Sequence, residues 1–321
     1  MADPWRASGK QDRANGVGPL VAADLLSRVS RSFYLSLRVL PAQVRPQISL
    51  AYLLARASDT VADTGAVARE RRLELLRRMR EGDFSSLAEL APGQALPAER
   101  LLLEKLDEAA AGLSKLEAAD QDLVRGLLRT IVSGQIFDLE KFSGGRIAAL
   151  AGDNELDRYA YLVAGCVGEF WTKMCALHLP RWPRGDQEEM VRLGVRFGKG
   201  LQLINILRDL ASDLRIGRCY LPVSEPERFL DASQYPVLRP VYERWLGEAT
   251  EHLEAGWRYA LMIPRSLWRV RLACIWPNWI GLETLAALRR SNPLDPAQRV
   301  KISRSKVYLI LARSLFYGVR G

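Results

Sequence analysis

The chain has 321 residues, 48% of them hydrophobic, and a formal net charge of +9 at pH 7. That is enough apolar material for a large core, and Pro–Gly clusters are too few for a fibrous or low-complexity chain. No run of about eighteen apolar residues occurs, which excludes an evident membrane span; the apolar stretches "LACIWPNWIGLETLAAL" and "VYLILARSLFYGV" are interrupted by Glu283 and Arg313.

Apolar residues recur at intervals of three and four through most of the chain, and alternating runs are scarce. The pattern predicts helices near 20–38, 44–64, 67–81, 98–112, 115–142, 155–178, 186–214, 238–262, 266–290 and 299–318. Breaks at 81–98, 143–153 and 180–186 are short enough to be loops of one domain, residues 19–321. Residues 1–18 are polar and Gly-rich, lack the apolar centre of a signal peptide, and read as a flexible segment. The expected class is all-α, a single domain packed around a shared core or cavity.

Cys166, Cys175, Cys219 and Cys274 have no C-x-x-C spacing and read as free thiols in a reducing compartment. The expected location is cytoplasmic, soluble or peripheral at a membrane. Most of the positive charge reads as solvated helix faces, as in "RERRLELLRRMRE". No zinc-finger or RNP-like motif accompanies it, so no nucleic-acid partner is expected. His178 and His252 are isolated and read as structural.

Two helical segments depart from the ordinary surface pattern. Tyr52, Arg56, Asp59 and Asp63 fall on one stripe, opposite Leu50, Leu53, Leu54, Ala57 and Val61. Gln202, Asn205, Asp209 and Asp213 share a second stripe, opposite Ile204, Leu207, Leu210 and Leu214. A solvated face mixes Lys, Glu and Gln, whereas these faces carry short carboxylates and amides suited to ligating a hard cation. Arg56, Arg208 and Arg218 lie close by in sequence, and guanidinium forks match phosphate oxygens. Carboxylates, Mg²⁺ and arginines together describe a diphosphate site, and a leaving diphosphate is stabilised by such charges.

These segments resemble the squalene/phytoene synthases, head-to-head prenyltransferases of the all-α isoprenoid synthase fold. The resemblance rests on "SRSFYLSLRVLP", "AYLLARASDTVADT", "YAYLVAGCVGEFW" and "GLQLINILRDLASDLRIGRCYLP", in that order, and runs from about residue 25 to 318. It implies Mg²⁺ (or Mn²⁺) held by Asp59, Asp63, Asp209 and Asp213, with Asp59 and Asp209 central to catalysis. It implies diphosphate contacts from Arg31, Arg56, Arg208 and Arg218, donor contacts from Ser30, Phe33 and Tyr52, and support from Gln202 and Asn205. Tyr159 matches a tyrosine assigned to cyclopropanation or cation stabilisation.

The implied reaction couples two farnesyl diphosphates to presqualene diphosphate, then reduces that to squalene with NADPH. "SDTVADT", "IWPNWIGLETLAAL" and "VKISRSKVYLIL" look closer to the squalene branch. Lys301 matches a cofactor-binding basic residue, but Ser303 stands where a second is expected, with Arg304 one place later. A phytoene, dehydrosqualene or presqualene diphosphate synthase, which needs no hydride, is therefore an alternative. A catalytically inactive assembly factor of the same fold would have eroded aspartates, and all four are intact. A product so apolar also suggests peripheral membrane contact.

Overall fold

The computed structural model describes residues 25–26, 28–29, 33–183 and 186–319; Ser30 and Arg31 lie outside them. Helices dominate: α1 (Phe33–Val39), α2 (Arg45–Asp63), α3 (Arg69–Arg80), α4 (Pro97–Glu104), α5 (Leu106–Leu113), α6 (Ala118–Lys141), α7 (Asp153–Ala160), α8 (Cys166–His178), α9 (Gln187–Arg215), α10 (Tyr235–Met262), α11 (Trp268–Leu288) and α12 (Arg304–Val319). The expected helix at 98–112 is divided at Lys105 into α4 and α5, and the last helix begins at Arg304 rather than 299. The expected helix at 155–178 contains a π turn, Tyr161–Gly165, between α7 and α8.

α9 is the spine. Asp186 caps its start by accepting from the Glu189 N–H, and Glu188 and Glu189 sit where the helix dipole favours negative charge. At 29 residues it is roughly 44 Å long. α10 runs back beside it: the Tyr242 hydroxyl donates to the Leu207 carbonyl at 3.2 Å, while Gly256, farther along α10, abuts Phe197. On the other flank the approach is closest, because a Cβ on Gly168 of α8 would overlap the Gly194 carbonyl. Leu207, Leu210, Leu214, Tyr242, Leu253 and Tyr259 fill the space between these helices. Each such buried side chain stabilises the fold by roughly 1.5–3 kcal/mol.

α2, α3 and α6 pack as a second group, and α11 leans on α1, α10 and α12. The four cysteines are free, as expected, and all four are buried. One element escaped the helical pattern. Ala148–Ala149 (β1) pairs in parallel with Arg218–Cys219 (β2), a two-stranded patch against α9. The chain reaches β2 through Gly217, whose φ of +85° suits a residue without Cβ. That turn swings Arg218 back beside the end of α9.

Candidate active site

α2 places Asp59 and Asp63 one turn apart at its C-terminal end. The Gln135 amide on α6 donates to Asp59 Oδ1 at 2.5 Å. Arg56 is divided, its guanidinium 3.8 Å from Asp59 and 2.7 Å from Glu99 on α4. The Asp59 side chain is 45% exposed through the mouth of the site but enclosed by protein elsewhere. Burial, reinforced by repulsion from Asp63, raises its pKa to about 6 against the opposing pull of Arg56.

α9 presents the second pair. Asp209 receives Arg208 at 2.5 Å and Arg299, from the loop before α12, at 3.0 Å. Burial would raise Asp209, but the two guanidiniums outweigh it and hold the carboxyl below its ordinary range. Asp213 has no such grip. Burial and the neighbouring Asp209 push it up to about 7. Gln202 and Asn205 share the face above, with a 3.4 Å contact between their amides.

Arg218 joins the halves. Its guanidinium lies 2.9 Å from Asp138 of α6, its field lowers Asp213, and Asp63 acts on it in turn. Burial opposes its charge, but the Asp138 carboxylate overrides that and holds the guanidinium protonated. The Tyr220 hydroxyl donates to the other Asp138 oxygen at 2.5 Å. The Tyr159 ring stacks on Tyr220 with centroids 4.9 Å apart and planes 19° apart. Its hydroxyl adjoins the same Asp138–Tyr220 network, and burial keeps both phenols protonated well above their ordinary range.

Tyr159 stands two residues before the first residue of the π turn, a device that recurs at functional sites because it re-aims side chains without ending the helix. Beyond the polar groups lies an apolar cavity of about 160 Å³, lined in part by Phe33, Trp171, Phe197, Leu201, Tyr259 and Pro277. Phe33 also packs on Tyr52 with ring centroids 5.3 Å apart. The Tyr52 hydroxyl reaches the Val29 carbonyl at 3.4 Å. A wider surface groove of about 990 Å³, along Leu123, Leu177 and Val191, includes neither aspartate pair.

The structure thus brings together Asp59, Asp63, Asp209, Asp213, Arg56, Arg208, Arg218 and Tyr159. Lys301 and Arg304 are exposed in the approach to α12, and the cation from this region that reaches an aspartate is Arg299. Sequence reasoning missed Arg299, Asp138, Gln135 and Tyr220. Gln135 and Asp138 did leave a signal. They occupy the stripe that Leu128, Ile131, Val132 and Leu139 otherwise keep apolar, and both are buried.

The donor set fits a hard divalent cation shared with phosphate. One carboxyl of each pair, Asp59 on α2 and Asp213 on α9, is pushed toward neutrality by burial and its neighbour, and a bound cation would favour its ionised form. Among the described residues no three or more His, Cys, Asp or Glu side chains are gathered as a group that could hold a metal ion by themselves. Mg²⁺ characteristically completes such pairs with water and substrate oxygens.

Comparison with known proteins bears on the family and the fold. The sequence profile described as squalene/phytoene synthase matches residues 26–306. A bifunctional lycopene cyclase/phytoene synthase from Colletotrichum graminicola is 29% identical over 266 residues, 76% of this chain and 42% of that protein. A squalene synthase from Eremothecium gossypii is 30% identical over 201 residues, 62% of this chain and 44% of that protein. The chain therefore aligns with less than half the length of these relatives. A structure of TcSQS with the ligand BPH1237 superposes with a TM-score of 0.75 at 22% identity, covering 91% of this chain and 85% of that one. At that identity it speaks for the fold.

Proposed function

We propose that this chain, which belongs to the squalene/phytoene synthase family, couples two farnesyl diphosphates head to head to presqualene diphosphate and reduces the product to squalene. The observation that carries the reading is the Arg218–Asp138 clamp, whose guanidinium interacts with a carboxylate of each aspartate pair, in a bundle that also holds an apolar cavity.

Asp59, Asp63, Asp209 and Asp213 would hold Mg²⁺, which when bound would supply Lewis-acid charge for the departing diphosphate. Arg208 and Arg218 add fixed positive charge where the diphosphate departs. Asp138 keeps Arg218 oriented and charged. Phe33, Trp171 and Phe197 exclude water from the allylic cation, which water would quench. Tyr159, stacked on Tyr220 beside the clamp, would supply an aromatic ring to a cation developing there. The proton lost on cyclopropane closure has an acceptor within this network, in the Asp138 carboxylate reached through the phenols.

Reduction to squalene needs a hydride, which NADPH supplies when bound. Lys301 and Arg304 are exposed cations in a stretch free of acidic residues, and in charge they suit its phosphates. A second reading has its own support: Ser303 stands between them where the squalene branch resemblance expects a basic residue, and relatives include phytoene synthases. In that reading the chemistry stops without a hydride.

Purified protein supplied with Mg²⁺ and farnesyl or geranylgeranyl diphosphate, with and without NADPH, separates these readings by product analysis. Squalene forming only with farnesyl diphosphate and NADPH is the expected result. Exclusive use of the C20 substrate replaces this reading with phytoene synthesis. Farnesyl consumption with no response to NADPH removes the reductive half.

A further inference from the structure

The net charge of +9 is not spread evenly. Residues 25–58, 255–282 and 296–321 together carry fifteen Arg and Lys and not one Asp or Glu. The remaining chain carries thirty-one basic residues against thirty-seven acidic ones. These three stretches pack on one another. The Arg269 guanidinium on α11 donates to the Val39 carbonyl at the end of α1 at 2.8 Å. α12 runs antiparallel along α11, through Lys306–Glu283 at one end and Trp276–Ser314 at the other.

Part of this charge belongs to the diphosphate site, but part of it cannot. The Tyr259 hydroxyl on α10 bonds Thr172, which lies against Gly194, fifteen residues before Asp209 on the spine helix. At 1.5 Å per residue the two levels are roughly 22 Å apart. α10 then continues away from the aspartates to Leu261 and turns into α11 at Trp268. Arg258 and Arg265 at this corner are exposed, and at that level they lie more than two Debye lengths of about 8 Å from Asp209; Arg38, exposed as well, stands next to Val39, whose carbonyl Arg269 reaches. A diphosphate at Asp209 does not account for Arg258 and Arg265.

The same corner exposes apolar surface. Trp268 is 41% exposed and Leu261 49%. Leu267, Met262 and Pro264 are half-buried between them. The cavity wall residues Phe33, Tyr259 and Pro277 come from the three helices that end or begin here, so the apolar cavity lies between the aspartates and this corner.

We propose that the corner formed by the end of α10, the start of α11 and the end of α1 docks on an anionic lipid surface. Trp268 and Leu261 enter the headgroup boundary, where an indole is at home, and Arg38, Arg258 and Arg265 face lipid phosphates. Neither signal holds a protein on a bilayer well alone, and the combination does. Charge complementarity selects the occupant: an exposed Trp–Leu pair ringed by arginines fits an anionic bilayer better than a nucleic-acid backbone. The surface stands independently of which coupling reaction the site performs.

Flotation of the purified full chain with phosphatidylcholine vesicles, alone or mixed with phosphatidylglycerol, tests it. The expected result is binding to the anionic vesicles only, weakened by added salt. Trp268→Glu and the double variant Arg258→Glu/Arg265→Glu should each reduce partition at least about tenfold. Val237→Glu, at the aspartate end of α10, should bind as wild type. Circular dichroism and melting curves confirm that each variant is folded, and the arginine variant, wholly at the surface, carries the test if Trp268→Glu does not fold. The proposal is overturned by equal binding to neutral vesicles, by no binding to anionic ones, by unchanged binding of the folded corner variants, or by preference for duplex nucleic acid over lipid at equal ionic strength.

Discussion

On α2, Asp59 accepts a hydrogen bond from the Gln135 amide and shares Arg56 with Glu99, while Asp63 is exposed. On α9, Asp209 is gripped by Arg208 and Arg299, whereas Asp213 has no guanidinium within ion-pair distance among the described residues. The spacing is identical and the electrostatics are not. Four-residue spacing decides only that two carboxylates share a face. Their charge state is decided by groups that arrive from elsewhere in the chain: Arg299 from the loop before α12, Gln135 and Asp138 from α6. Each pair ends with one carboxyl raised by burial and like charge, and that raised member is the one a cation would relieve.

If both pairs serve cation and diphosphate equally, removing a charge from either should be about equally damaging. Asp59→Asn and Asp209→Asn should each lower kcat/KM for prenyl diphosphate coupling by about two orders of magnitude or more, measured by product formation under saturating Mg²⁺. Retention of most activity in Asp209→Asn would mean that Arg208 and Arg299 are the working groups on α9, and the metal assignment there would fall.

The comparison also predicts opposite effects on stability and activity. Folding raises Asp59 from 3.8 to about 6 and Asp213 from 3.8 to about 7. Both groups bind protons more tightly folded than unfolded. The stability they contribute is therefore complete below about pH 4 and is lost as pH rises through about 6 and 7. Metal-free Asp213→Asn should melt above wild type at pH 8 and alongside it at pH 4.5. After solvent screening the gain is on the order of 1–2 kcal/mol, a few degrees in a chain this long. Mg²⁺ should raise the wild-type melting temperature more at pH 8 than at pH 5, since the ligands must be ionised to bind. Calorimetry across this range decides it, and a wild-type protein most stable at pH 8 without metal would contradict the assignment.

Much of this was legible before folding. The all-α class, the two aspartate stripes and the arginines beside them all follow from periodicity, because helical spacing is a local property. The missing parts are non-local. Asp138 looks in sequence like one more charge in "FDLEKF", and only packing of α6 against β2 sets it beside Arg218. β1 and β2 each have two residues, too short for any alternating pattern. Arg299 falls where periodicity suggested the start of a helix, and the irregular backbone of 299–303 is what allows it to reach Asp209. The segment resemblance led toward Lys301 and Arg304; packing drew attention to their neighbour instead.

Arg299 separates the pairs most finely. Its side chain is 67% exposed, so its bond to Asp209 contributes at most about 1 kcal/mol to stability. Arg299→Gln should therefore leave the melting temperature unchanged. Any effect on turnover must come through charge at the mouth of the site, where a guanidinium binds substrate and transition state about equally. That predicts a KM for the diphosphate substrate raised about three- to tenfold with kcat within about twofold. Arg56→Gln, the corresponding loss on α2, should raise KM less, because Glu99 already claims half of that guanidinium. Steady-state kinetics on the two variants make the comparison. If KM is unchanged in Arg299→Gln and half-saturation instead occurs at lower Mg²⁺, Arg299 serves only to neutralise Asp209 until a cation takes its place.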